Sequence, residues 1–204
     1  MIAIPRLYPI IDGSCFGETS ELVAFAEELA AAGCTLLQYR NKRGNGRQTL
    51  EQARALRKAL GKSVRLIMND RADLCLAAEF DGVHVGQDDL SPASVRRMIG
   101  EQLWVGISTH NPLQVSEATR KPANYLAVGP IFATLSKANS DPVIGIEGVA
   151  QAKLLTDKPL VAIGGITREN CRSIIEAGAD SVAVISDLLT APRKSAEDFF
   201  RILR

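Results

Sequence analysis

Short apolar runs rich in Val, Ile and Leu alternate along the chain with longer segments in which apolar residues recur at helical spacing. This is the pattern of βα units built around a parallel sheet that is buried on both faces. Eight runs predict strands, at residues 7–11, 35–39, 65–68, 82–85, 104–108, 125–128, 159–163 and 181–185. Between the first two, residues 20–32 place Leu22, Val23, Phe25, Ala26, Leu29 and Ala30 at i, i+3, i+4 positions. Such spacing gives one helical face to lay on a sheet, and Gly33 predicts where that helix stops.

A weak internal repeat supports the division. Small or polar residues open an apolar strand at 32–37, 80–85, 123–128 and 177–184. Measured between Leu36, Val83, Leu126 and Val182, the spacings are 47, 43 and 56 residues. Each is about two βα units if a unit takes roughly 25 residues. Eight units then fill residues 1–204 with no linker left over. The sequence predicts an α/β protein made of a single (β/α)8 TIM barrel, one catalytic domain, in preference to an open doubly wound sheet.

Composition narrows the function. Apolar residues make up 46% of the chain, charged residues 23%, and mean hydropathy is +0.04, which excludes intrinsic disorder. The 24 Lys and Arg against 23 Asp and Glu leave a net charge of +1, no excess with which to steer a polyanion, so nucleic acid is not an expected partner. Cys15, Cys34, Cys75 and Cys171 are scattered, with no Cys-x-x-Cys pair, and predict reduced thiols over a zinc site or disulfide framework. With no signal-peptide pattern at the start and no membrane-length apolar run, the expected location is cytoplasmic.

In such a barrel the loops after the strands' C-terminal ends form the active face. The end of the first strand offers nothing distinctive. In Gln38-Tyr39-Arg40-Asn41-Lys42, by contrast, Gln38, Arg40 and Lys42 alternate and would point to one side of a continuing strand. An arginine fork and a mobile ammonium suit a phosphorylated ligand, although a solvated loop running on into Arg43 and Arg47 would look the same. Asp70 after the third strand, and Asp88 or Asp89 after the fourth, are each explained singly as helix caps. Together, beside the Arg40 and Lys42 loop, they suit Mg2+ shared with phosphate oxygens. The long connection 129–140 offers Thr134, Ser136 and Lys137 to a phosphate. Gly164-Gly165 and Ile185-Ser186, after strands seven and eight, lie where barrels commonly bind phosphate, with a tight glycine turn as the alternative. His84 is expected to be a hydrogen-bonded barrel residue, and no motif specifies a catalytic triad.

Taken in order, the motifs resemble the thiamine phosphate synthase family over essentially the whole chain. They are Tyr8-Pro9-Ile10-Ile11-Asp12, Gln38 to Lys42, Asn69-Asp70-Arg71-Ala72-Asp73-Leu74, Asp81 to Asp89, Gly106-Ile107-Ser108-Thr109-His110, Gly129-Pro130-Ile131-Phe132, Thr134-Leu135-Ser136-Lys137 and Ile163-Gly164-Gly165-Ile166. The resemblance implies a Mg2+-dependent, dissociative alkyl transfer joining a pyrimidine diphosphate to a thiazole phosphate, with small molecules as the only required partners. It assigns Gln38, Tyr39, Arg40, Asn41, Lys42, Asn69, Ser108 and Lys137 to the pyrimidine diphosphate, with Arg40, Ser108 and Lys137 catalytic. Asp70 and Asp89 are assigned to the metal, and Thr134, Leu135, Ser136, Gly165, Ile185 and Ser186 to the thiazole phosphate. Asn41 stands where the family often has an acidic residue, and Ser136 where threonine is common. Two rival expectations are a thiazole tautomerase on the same barrel and a noncatalytic binder of phosphorylated thiamine intermediates. A rival for Ser108 alone is capping of the helix that begins near Pro112. Oligomeric state is left open, a homo-oligomer included.

Overall fold

The structure, a computed structural model, describes residues 2–134 and 141–204. Eight strands form a closed parallel barrel in chain order: β1 (Leu7–Asp12), β2 (Leu36–Arg40), β3 (Arg65–Asn69), β4 (Gly82–Val85), β5 (Trp104–Thr109), β6 (Tyr125–Val128), β7 (Leu160–Ile163) and β8 (Ser181–Val184). Outside it run α1 (Thr19–Ala31), α2 (Gly46–Leu60), α3 (Ala72–Ala77), α4 (Pro92–Ile99), α5 (Pro112–Thr119), α6 (Gly145–Leu154), α7 (Cys171–Glu176) and α8 (Pro192–Ile202). All eight predicted strands are present, with ends shifted by a residue at most. β2 runs on to Arg40 because Arg40 is in register with Asp12 of β1.

Strand alternation sorts the apolar side chains into two layers. Leu7, Ile11, Leu37, Leu66 and Leu126 face outward and pack with Leu22, Leu29, Leu56 and Phe199 of the helices. Tyr8, Ile10, Leu36, Ile67, Tyr125, Ala127, Val161 and Ala183 fill the barrel interior. Burying each large aliphatic side chain contributes about 1.5–3 kcal/mol, so this double layer explains why nearly continuous apolar runs specify the strands.

Three side-chain clamps tie the end of the barrel opposite the active face. Just before β4, Asp81 accepts the Leu66 amide (2.8 Å) and the Arg57 guanidinium of α2. Just before β6, Asn124 accepts the Val105 amide and the Arg96 guanidinium of α4, both at 2.7 Å. Just before β8, Asp180 accepts the Leu160 amide and the Lys153 ammonium of α6, both at 2.8 Å. Each clamp residue also donates its own amide to the carbonyl of the same partner, Leu66, Val105 or Leu160. These clamps are the physical content of three of the four repeat openings. At the seam between β8 and β1, Arg6 reaches the carbonyls of Ala179 and Asp180 (3.4 and 3.3 Å).

Candidate active site

A cavity of about 620 Å3 opens over the C-terminal ends of the strands. Gln38, Arg40 and Lys42 all line it, as their alternation predicts, and Asn69, Asp70 and Asp89 continue the same arc across β3 and β4. Ser108 lines it from β5, Thr134 from the connection after β6, and Gly165, Ile185 and Ser186 from beyond β7 and β8. Leu135, Ser136 and Lys137 lie outside the described residues. The side chains of Tyr39 and Asn41 turn away from the cavity. Tyr39 alternates outward into the helix-facing core and donates its hydroxyl to Gln52 of α2, while Asn41 bonds Gln52 (3.0 Å) and the backbone of its own loop.

Arg40 is positioned by a residue that the strand-end reading passed over. Asp12, only 5% exposed, pairs with its guanidinium and also accepts the Ser14 amide (3.0 Å) and hydroxyl (2.7 Å). One edge of the fork is thereby fixed and other N–H donors remain for a ligand. The legible signal was the inward alternation Tyr8, Ile10, Asp12, which ends an apolar strand on a carboxylate.

Neither metal candidate is a helix cap. Ser91 caps α4 through the Ser94 amide (3.2 Å), and α3 starts without a side-chain cap. Asp70 holds φ at +61°, the left-handed region that few non-glycine residues adopt, and it pairs with Lys42. Asp89 accepts the Gly86 amide (2.8 Å) and lies within hydrogen-bonding reach of Asp70. Burial pushes the Asp70 carboxyl above the usual carboxylate range; the Lys42 ammonium opposes this and the neighbouring Asp89 carboxylate adds to it. Two carboxylates converging from adjacent strand ends fit Mg2+, which commonly takes one or two carboxylates and completes its octahedron with water and phosphate oxygens. Among the described residues no cluster of three or more His, Cys, Asp or Glu is present, so those further oxygens are needed.

The floor of the cavity is a buried polar chain. Gln38 Nε2 donates to the Tyr8 hydroxyl (3.0 Å), which meets the Tyr125 hydroxyl (2.9 Å). Tyr125 in turn meets His84 Nδ1 (3.0 Å), and His84 Nε2 meets Ser108 Oγ (2.9 Å). His84 is thus the hydrogen-bonded barrel residue its sequence context predicts, and it lines the cavity as well. Burial, opposed by the Asp89 charge, lowers its pKa to about 4, which keeps the ring neutral. Ser108 does not cap α5: Asn111 does, accepting the Gln114 amide at 3.0 Å. Nearer the rim, His110 Nδ1 bonds the Gly129 carbonyl (2.6 Å) and faces Asp141 (3.3 Å).

On the opposite arc, Gly164 and Gly165 hold φ at +103° and +64°, and a Cβ on Gly165 would sit 2.6 Å from the Ala133 carbonyl oxygen. The turn therefore demands glycine on its own account, and in doing so it presents bare backbone to the cavity. Arg168 pins this loop to the turn after β8, donating its amide (2.9 Å) and Nε (3.0 Å) to Asp187.

Residues 7–188 match the family described as thiamine monophosphate synthase. The chain belongs to the thiamine monophosphate synthase family. It is 58% identical over 205 residues to the thiamine-phosphate synthase of Koribacter versatilis, a match spanning 99% of this chain and 97% of that protein. To the thiamine-phosphate synthase of Chloroflexus aurantiacus it is 42% identical, over 91% of this chain and 86% of the other. The solved thiamine phosphate pyrophosphorylase of Pyrococcus furiosus superposes with a TM-score of 0.85 at 30% identity, over 97% of this chain and 95% of that one. Members of the thiamine monophosphate synthase family are transferases, so the cavity is that of an enzyme. The matched span carries both arcs, from Asp12 to Ser186. Among the described residues no helix is long and apolar enough to cross a membrane.

Proposed function

We propose that the protein condenses hydroxymethylpyrimidine diphosphate with hydroxyethylthiazole phosphate. The bond between the pyrimidine methylene carbon and its diphosphate oxygen breaks, the thiazole nitrogen takes up the methylene carbon, and pyrophosphate leaves with the electron pair. One observation carries this reading: a single cavity joins a cationic arc beside paired carboxylates to a glycine-lined arc of the kind that admits a phosphate.

Gln38 and Asn69 offer amide groups to the pyrimidine diphosphate. Arg40, Lys42 and the Ser108 hydroxyl meet the charge that grows on the departing diphosphate, a preorganised donor being worth around 3 kcal/mol in the transition state, and the family resemblance gives Lys137 the same role. Asp70 and Asp89 hold Mg2+, which when bound supplies neutralising charge to the leaving group. Thr134, Ser136, Gly165, Ile185 and Ser186 seat the thiazole phosphate. The thiazole nitrogen is already nucleophilic and needs no general base. In keeping with that, Ser108 is no triad nucleophile, because its His84 is backed by the Tyr125 phenol and not by a carboxylate. Four free cysteines, three of them buried, fit work in a reducing cytoplasm.

The test is pyrophosphate release by the purified protein given each substrate alone and both together, with and without Mg2+. Release that requires both substrates and the metal is expected. Absence of pyrophosphate with everything present overturns the reading and leaves binding or tautomerisation.

A further inference from the structure

The chain of hydrogen bonds under the cavity has a direction. Its starting point is Gln38 Nε2, which can only donate, so the Tyr8 oxygen accepts. Tyr8 is 1% exposed, and among the described residues its hydroxyl meets one further polar atom, the Tyr125 oxygen. If Tyr125 donated to Tyr8, the Tyr8 proton would be buried without an acceptor and would forfeit its hydration uncompensated. Tyr8 therefore donates to Tyr125, and Tyr125 donates its own proton to His84 Nδ1. That nitrogen then carries no hydrogen, so the neutral ring bears its proton on Nε2 and donates it to Ser108 Oγ. With its oxygen accepting from His84, Ser108 turns its remaining proton to the cavity that it lines.

We infer that Tyr8, Tyr125 and His84 are positioning residues that lock the Ser108 hydroxyl as a hydrogen-bond donor toward the ligand, before any ligand arrives. That the ligand group is a diphosphate oxygen rests on the proposed function; the direction of the chain does not. Room for the chain is built into β5: a Cβ on Gly106 would fall 2.2 Å from Tyr125 Cζ and 2.5 Å from His84 Nδ1. The arrangement also has a chemical rationale. A serine hydroxyl rotates freely and serves equally as donor or acceptor, whereas an oxygen gaining negative charge is stabilised only by a donor. Fixing the rotor in advance removes the reorganisation that would otherwise accompany bond breaking.

The protein has two histidines, so selective ring-15N labelling gives two signals sets, and His110→Gln identifies which belongs to His84. Near neutral pH and without substrate, we expect a pyridine-like Nδ1 and a pyrrole-like Nε2 at His84. The opposite assignment, or an averaged mixture of tautomers, overturns the inference whether or not the protein turns over. Tyr125→Phe removes the proton that holds Nδ1 as an acceptor. Its His84 signals should move toward a tautomer mixture, and the single-turnover rate should fall about tenfold, short of the roughly 10²- to 10³-fold loss expected when the donor itself is removed, with little change in KM. A Tyr125→Phe protein that keeps both the wild-type ring signals and the wild-type rate also overturns it. Loss of pyrophosphate formation in the unmodified protein would instead strike the proposed reaction and leave the ring assignment standing.

Discussion

Replacing Asp81 tests what the clamps contribute, and the molecule supplies its own control. The Asp81 carboxylate receives the Leu66 amide and the Arg57 guanidinium, whose side chain is 10% exposed. Asp81→Ala would strand both donors. Breaking a buried ion pair costs about 3–5 kcal/mol and a stranded buried amide about 1–3 kcal/mol. Two features reduce that sum: the Asp81 side chain is 24% exposed, so water reaches the site, and Arg57 keeps the carbonyls of Glu79 (3.0 Å), Gly61 and Val64 (3.3 Å). A loss of about 3 kcal/mol remains. At the second clamp Asn124 accepts the same two kinds of donor with no charge. Asp81→Asn should therefore cost only about 1 kcal/mol. In urea, with a slope of about 2 kcal/mol/M, the midpoint should drop by about 1.5 M for alanine and about 0.5 M for asparagine, at unchanged slope. Activity well below the transition should be untouched, because the clamp lies at the far end of the barrel. Equal losses for the two variants would show that charge matters and the acceptor geometry does not. A shift too small to measure in either would refute the clamp as a source of stability.

Asp70→Ala and Asp89→Ala should each abolish most turnover while leaving the urea midpoint near that of the wild type; near-normal rates at limiting Mg2+ would count against the metal assignment. Ser108→Ala should slow single-turnover product formation by roughly 10²–10³ while stability changes little, since Asn111 and not Ser108 caps α5; rapid-quench kinetics beside a urea melt measures both. Arg40→Ala should weaken calorimetric binding of the pyrimidine diphosphate and Gly165→Ala that of the thiazole phosphate, and identical losses for both ligands would collapse the two-arc map. Burial pushes the Cys34 and Cys75 thiols up to about 12 and Cys171 is buried as well, so at pH 8 a thiol reagent should find Cys15 alone in the native protein and all four thiols in denaturant.

The barrel was legible because each strand is apolar on both faces and each helix on one, so two periods alternate along the chain. The arc from Gln38 to Lys42 was legible too, since alternation within five residues places three polar side chains on one side. That same alternation turns Tyr39 outward, which membership in a motif did not reveal. Pairs distant in the chain could not be read. Asp12 and Arg40 stand 28 residues apart, and Tyr8 and Tyr125 stand 117 apart; closure of the barrel is what makes them neighbours. His84 was correctly expected to be bonded, but its partners belong to β5 and β6, and only the fold shows that it supports the cavity floor. Repeat openings at 80–85, 123–128 and 177–184 were visible as a pattern, while their cause, a shared acceptor for a strand amide and a helix cation, needed coordinates.

Each clamp binds one helix, the strand that follows it, and the next strand: α2 with β3 and β4, α4 with β5 and β6, α6 with β7 and β8. Asp70 and Asp89 stand at the far ends of the first pair of strands, and Gly165 and Ser186 lie just beyond the ends of the third. The metal carboxylates thus ride on the first clamped pair of strands and the glycine turn on the third, while Ser108 reaches the cavity from β5 in the pair between them. In the proposed reaction, whose bond forms between two separately held molecules, the spacing of those two pairs bears on the distance the migrating carbon must cross.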